Sequence, residues 1–274
     1  MKVLSGVEIA KEMKARQAQK AAELHKRGVV PKLAIVQAKD DPVINTYVRL
    51  KKQYGGDIGV EVDIHFIPQA EIPYLLKRLN ADPNVHGIIV QLPLEKPAQT
   101  DEILNQVSAA KDVDGLGRQA EFEPATPKAI LRLLAGNDIS LAGKKVLIIG
   151  RGKLVGEPLA KILDESSIDV EAVDREVANL KDLTLAADVI ITATGSPSII
   201  FPDMLKSDAV VVDAGVASEA GKTVGDVAEA VYQRDDVAVT PSKGGVGPLT
   251  VCALFENVLA AAEKAAENSG RPRS

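Results

Sequence analysis

The sequence has no tryptophan, one cysteine, three histidines, and only four Phe and four Tyr among 274 residues. A lone Cys252 cannot form an intrachain disulfide, and His25, His65 and His86 are scattered, so a disulfide scaffold and a structural zinc module are excluded. An excess of charge is missing too. Lys and Arg number 33 against 38 Asp and Glu, giving a net charge of −5 with no dense basic block, which argues against nucleic acid or an anionic membrane as main partner. No apolar run approaches the roughly 20 residues that span a bilayer. The N-terminus, MKVLSGVEIAKEMKARQAQK, becomes charged too soon for a signal peptide. These absences predict a cytoplasmic protein that needs neither a metal nor a membrane. What is present, 46% hydrophobic and 26% charged residues, suits an ordinary globular chain with room for two domains of roughly 130 residues each.

The apolar period alternates between helix and strand. Residues 7–26 read as an amphipathic helix stopped near Gly28, and 33–38 as a buried strand. Asp41 and Pro42 then form an N-cap and a first-turn proline, opening a helix that carries Tyr47 and Lys51. A strand near 60–66, a helix near 70–80 and the strand 86–92, ended by Pro93, complete an α/β half whose β-branched strands fit a sheet covered on both faces. A helix is predicted near 99–107, and another from the cap pair Thr126 and Pro127 to about Gly136. A second α/β series follows, with strands at 144–150, 168–173, 187–194 and 208–215 and a helix near 155–165. An Ala-rich helix spans about 249–266, and ENSGRPRS reads as a frayed tail. The fold class is α/β in two domains, 1–118 and 119–245, with the C-terminal helix 249–266 returning to complete the first.

VLIIGRGKLVGEPLA carries the strongest local signal. A buried strand runs into Gly150, Gly152 and Gly156 and then a helix, so backbone can approach a pyrophosphate at a helix N-terminus. The spacing is G-x-G-x-x-x-G, and a tight turn without a ligand is the competing reading. Asp174, at the end of the next strand, suits an adenosine ribose hydroxyl and NAD, whereas Arg151 and Arg175 suit a 2′-phosphate and NADP. Tyr47 and Lys51 share one helix face, which also describes an ordinary surface pair. Gln91 stands at the C-terminal end of a strand, where α/β crevices bind ligands. KDVDG offers Asp112 and Asp114 as site residues or as turn formers. Gly244, Gly245, Gly247 and Pro248 suggest backbone close to a ligand, or a turn between domains.

In order along the chain, DPVINTYVRLK, GIIVQLPLE, KDVDG, PATPKAI, VLIIGRGKLVGEP, VVDAG, VGDV and TPSKGGVGPLTV resemble the bifunctional methylenetetrahydrofolate dehydrogenase/methenyltetrahydrofolate cyclohydrolase family. The resemblance implies an N-terminal folate-site domain, a Rossmann-type domain binding NADP or, less often, NAD, and an active site in the cleft between them. It further implies a homodimer acting on tetrahydrofolate derivatives. Residue by residue, Tyr47 matches the tyrosine stacked on folate, Lys51 the catalytic lysine, Gln91 its positioning glutamine, and Asp114 the pterin-binding aspartate. Leu92, Pro93, Gly245 and Pro248 fall beside the folate. Gly150, Arg151, Gly152, Lys153, Val155 and Gly156 fall at the cofactor, as do Asp174 and Arg175. Thr194, Gly195, Gly215 and Val216 complete the cofactor set.

The residue types suit such chemistry. Hydride transfer asks mainly for positioning, and a lysine beside a cationic product should have a lowered pKa and serve as base or proton shuttle. The chain departs from the family pattern at Ile44, where a serine is common, and at Gly152, where G-R-S becomes G-R-G. Asp174 replaces a common histidine, Ser242 and Lys243 replace V-P, and the segment between KDVDG and PATP is about nine residues short. Two other functions fit the layout: a dehydrogenase of another small substrate, and a nucleotide sensor that has lost turnover.

Overall fold

The computed structural model describes residues 1–215, 217–219 and 222–269. The chain divides into two units, one made of Lys11–Ala125 with the residues from Val251 on, the other of Met1–Ala10 with Thr126–Thr250.

The chain starts with β1 (Lys2–Val3) and α1 (Val7–Lys26), which ends before Gly28 at φ +78°. In the first unit β2 (Lys32–Gln37) is central: β3 (Glu61–Phe66) and β4 (Gly87–Val90) pair with it in parallel, in the order β3-β2-β4. Between β2 and β3 lies α2 (Pro42–Ile58). Asp41 caps it, its Oδ1 accepting the Val43 and Ile44 amides at 2.9 and 3.2 Å, with Pro42 at the first position as the sequence suggests. Gly59, at φ +79°, ends it by donating to carbonyls of the last turn. Between β3 and β4 lies α3 (Ile72–Ala81), and the expected helix near 99–107 shortens to α4 (Thr100–Leu104). Asn105 helps to close that turn, its Nδ2 donating back to the Asp101 carbonyl. Alternate residues of β2, Ala34 and Val36, pack with Ile72, Leu76, Ile88, Val90 and Ile103 in a core where each buried aliphatic chain contributes about 1.5–3 kcal/mol.

The second unit begins with α5 (Ala125–Gly136). Here the sequence reading needs correction: Thr126 lies inside the first turn and is not its cap, and Pro127 sits beside it, where amides lack intrahelical acceptors in any case. β5 (Val146–Ile149), α6 (Gly156–Glu165), β6 (Val170–Val173), α7 (Leu180–Ala186), β7 (Val189–Thr192) and β8 (Val210–Asp213) follow, then the antiparallel pair β9 (Ala217–Glu219) and β10 (Lys222–Val224), and last β11 (Ala238–Val239). The parallel sheet has the order β1-β11-β8-β7-β5-β6. The first ten residues, expected in the first domain, belong to this unit because β1 pairs with β11, Leu4 donating to the Val239 carbonyl at 2.9 Å. Helix α7 and the two-residue strands were not foreseen; elements that short carry no readable period.

The last helix, α8 (Val246–Ser269), corrects two further expectations. Glu267–Ser269 are helical, where a frayed tail was expected, and residues 270–274 lie outside the described residues. By length and hydropathy, Val246–Asn268 also passes as a bilayer span, contrary to the sequence reading, but 61% of its apolar window is buried inside the protein, as in a core helix. Phe255, fully buried, lies 5.1 Å from the Tyr54 ring between centroids.

Candidate active site

Three chain segments of the first unit converge. Helix α2 presents Lys51, Gln91 directly follows strand β4, and the KDVDG turn carries Asp114. Lys51 Nζ donates to Gln91 Oε1 at 2.9 Å, and Gln91 Nε2 donates to the Leu92 carbonyl at 3.1 Å, which fixes the amide with its oxygen toward the amine. Gln91 is held in turn by its backbone, its amide donating to Val36 at 2.8 Å. Burial pushes the Lys51 pKa down, and the neighbouring Asp114 charge opposes that shift. Burial pushes the Asp114 carboxyl up, and Lys51 opposes that in turn. A lysine whose pKa burial lowers, with a neutral amide fixing its amine and a carboxyl nearby, suits proton transfer. Tyr47, one turn before Lys51, is half-buried, and burial raises its hydroxyl pKa. Ile44 is buried on the same helix, so apolar packing occupies its place.

The two aspartates of KDVDG have different surroundings. Asp112 folds back into the turn, accepting the Gly115 amide at 3.1 Å and the Gly117 amide at 2.7 Å. Asp114 instead lies within electrostatic reach of Lys51. Gly115, at φ +71°, has no room for a side chain, since a Cβ would meet the Phe122 carbonyl at 2.6 Å. Asn257 of α8 pins the turn from behind, its Nδ2 donating to the Val113 carbonyl at 2.9 Å and the Glu123 carbonyl at 3.0 Å. Leu92 and Pro93, joined by a cis peptide bond, follow Gln91 directly. Their loop is tied by Gln69, which accepts the Lys96 amide at 2.8 Å and donates to the Lys96 carbonyl at 3.2 Å. Sequence reasoning missed Asn257 and Gln69. A polar residue amid the apolar run of α8 was the only signal for the former.

In the second unit the strand order reverses beside β5, and the turns after β5, β6 and β7 enclose a cavity of about 200 Å³. Gly150, Arg151, Gly152, Asp174, Arg175 and Thr194 line it, with Glu176 and Ala193. Gly150 has φ +101°, and a Cβ there would meet the Ala193 carbonyl at 2.6 Å; a Cβ on Gly156 would stand 1.7 Å from the Gly150 carbonyl. These two glycines answer to the protein's own packing. Gly152 does not: a Cβ there would meet open space on the cavity side, while its carbonyl accepts the Val155 and Glu157 amides, each at 3.2 Å, at the start of α6. Val155 precedes the first residue of α6, and Lys153 lies between it and Gly152. Arg175 Nε meets Glu176 Oε1 at 2.6 Å, and its other nitrogen donates to Ser196. Asp174 is exposed at the end of β6. Gly195 has φ +63°, and Gly215 packs on Asp226. Val216 lies outside the described residues. Gly245 and Pro248 belong to this unit, where Gly245 packs on Gly6 and Thr240; the turn thus has a packing reason of its own.

Comparison with known proteins agrees with this geometry. Residues 4–114 match the tetrahydrofolate dehydrogenase/cyclohydrolase catalytic domain and 124–266 the NAD(P)-binding domain of the same enzymes. The bifunctional protein FolD 2 of Geobacter metallireducens is 37% identical over 97% of this chain and 99% of its own. The crystal structure of the bifunctional methylenetetrahydrofolate dehydrogenase/cyclohydrolase of Campylobacter jejuni superposes with a TM-score of 0.90 at 34% identity, covering 96% of this chain and 99% of the other. That of Trypanosoma brucei, complexed with NADP and an inhibitor, gives 0.89 at 28% identity, covering 96% and 97%. With both domains matched in order and relatives matched nearly end to end, the chain belongs to the tetrahydrofolate dehydrogenase/cyclohydrolase family.

Proposed function

We propose that this chain oxidises 5,10-methylenetetrahydrofolate to the methenyl cation with NAD(P) and then hydrolyses that cation to 10-formyltetrahydrofolate. The observation that carries the reading is the Lys51–Gln91 hydrogen bond beside Asp114 in a domain of the folate family. The dinucleotide, when bound, supplies the acceptor for the hydride that leaves the methylene carbon. The cavity at the ends of β5, β6 and β7, with no side chain at Gly152 to fill the space before α6, suits its pyrophosphate. NADP is the coenzyme we assign, with Arg151 as the cation left for a 2′-phosphate, since Arg175 is engaged by Glu176 and Ser196.

The protein's own groups carry out the second step. Gln91 fixes the Lys51 amine, which takes a proton from water as the oxygen bonds to the methenyl carbon. The bond from that carbon to N5 then breaks as the Lys51 ammonium returns the proton to N5 and the new hydroxyl gives up its own proton to solvent, leaving the formyl group on N10 and releasing one proton overall. Asp114 binds pterin N–H donors through its two oxygens, and Tyr47 stacks against the folate from one turn earlier on α2. Leu92 and Pro93 border the ring. Lys51→Met should abolish hydrolysis while leaving the fold intact by circular dichroism. Full cyclohydrolase activity in that variant would refute the role.

The enzyme also acts, in this reading, as a cytoplasmic homodimer. Support comes from β3, an edge strand whose Ile64 and Phe66 are 37% and 60% exposed. Light scattering of Phe66→Glu should show monomers; an unchanged dimer would rule out this edge as the contact.

A further inference from the structure

The motifs VVDAG and VGDV have no part in the chemistry above, yet they set two carboxylates side by side, Asp226 fully buried and Asp213 partly so. Asp226, 0% exposed, accepts three hydrogen bonds from one turn: Oδ2 takes the Thr194 amide at 2.8 Å and the Thr194 hydroxyl at 2.9 Å, and Oδ1 takes the Ser196 amide at 3.0 Å. Asp213, at the end of β8, holds Asp226 in place. Its Oδ1 accepts the Asp226 and Gly215 amides at 3.1 and 3.0 Å, and its Oδ2 the Val227 amide at 3.0 Å. The packing is reciprocal: a Cβ on Gly215 would lie 2.0 Å from Asp226 Oδ1, and one on Gly225 2.1 Å from Asp213 Oδ2. Neither glycine has the positive φ that would otherwise require it.

We infer that Asp213 and Asp226 are positioning residues for the dinucleotide, which lock the Thr194–Ser196 turn as one wall of the cofactor cavity. Thr194 and the preceding Ala193 line that cavity, and the hydroxyl of Ser196 meets the Arg175 guanidinium on its rim. Two neighbouring carboxylates are an expensive way to stabilise a fold, because each loses hydration and they repel each other. Amides directed at both oxygens of each offset that cost and fix the turn in one geometry, as a site that must meet a ligand to within a fraction of an ångström requires.

The inference rests on the dinucleotide reading of the cavity, and the two catalytic steps separate it from a purely structural role. Hydrolysis of methenyltetrahydrofolate needs no dinucleotide, and its Lys51, Gln91 and Asp114 belong to the other unit. Asp226→Asn keeps the shape but turns one acceptor into a donor facing amide N–H groups. We expect the KM for NADP, and the Kd for NADPH followed by its fluorescence, to rise at least tenfold. The dehydrogenase kcat should fall by less, and the cyclohydrolase rate should stay within twofold. Asp213→Asn should give the same pattern with smaller changes, and it decides the matter should Asp226→Asn not fold. Unchanged NADP affinity, or equal loss of both activities in the folded variants, overturns the inference. A parent protein that reduces neither NAD nor NADP would instead refute the dinucleotide reading, and the inference with it.

Discussion

Replacing Asn257 with Ala removes the link between α8 and the turn that carries Asp114. Two hydrogen bonds go, at 2.9 Å to the Val113 carbonyl and 3.0 Å to the Glu123 carbonyl. The acceptors have different fates. Val113 is fully buried, so its carbonyl is left without a partner, at about 1–3 kcal/mol; Glu123 is exposed and water can replace the lost donor, leaving a net loss of about 1 kcal/mol. The expected destabilisation is therefore about 2–4 kcal/mol, confined to the folate unit. By contrast, Lys264→Ala on the same helix breaks an ion pair with Glu121 whose partners are 57% and 40% exposed, and should cost below about 1 kcal/mol. Three of the four tyrosines, Tyr47, Tyr54 and Tyr74, lie in the folate unit, and the chain has no tryptophan, so tyrosine emission in urea follows that unit preferentially. The released turn should also raise the folate KM through Asp114 more than it lowers kcat. An Asn257→Ala protein no less stable than Lys264→Ala, with an unchanged folate KM, would show that the turn holds itself and would refute the reasoning.

Asp114→Asn should move the acid limb of the cyclohydrolase pH profile, where Lys51 must lose its proton to act as base, to lower pH. Burial lowers the Lys51 pKa and Asp114 opposes it, so without that negative charge the amine loses its proton sooner; a limb that stays or moves upward would contradict the coupling. Gly156→Ala places a Cβ where the Gly150 carbonyl stands 1.7 Å away, so α6 must shift. The expected cost is about 1–3 kcal/mol, with a raised NADP KM visible in initial-rate assays. Glu176→Gln frees Arg175 from the ion pair at 2.6 Å to join Arg151 at the 2′-phosphate, and the ratio of kcat/KM for NADP over NAD should rise; an unchanged or falling ratio would mean that this ion pair is not what keeps Arg175 from the phosphate.

Much of the local architecture could be read from neighbouring residues. Asp41 followed by Pro42 specifies a helix start because a side-chain oxygen and a fixed φ act within one turn. The same locality made Tyr47 and Lys51 share a face and marked Gly150 to Gly156 as a strand-to-helix turn. Local reasoning erred where a weak preference met a tertiary contact. It placed the first ten residues with their sequence neighbours rather than with β11, and it named Thr126 as a helix cap where that residue lies inside the first turn.

What the sequence by itself determined is the family, the α/β class, and the identity of the groups available for chemistry. Only the tertiary structure decided their surroundings: that Asp112 closes the turn while Asp114 comes within electrostatic reach of Lys51, that Asn257 holds that turn from 144 residues away, and that Asp226 grips the Thr194–Ser196 turn from about thirty. The reason is physical. Helix caps and turns are set by backbone dihedrals within a few residues. Which of two chemically equivalent carboxylates is charged, buried or paired depends on chain segments that only the completed fold brings together.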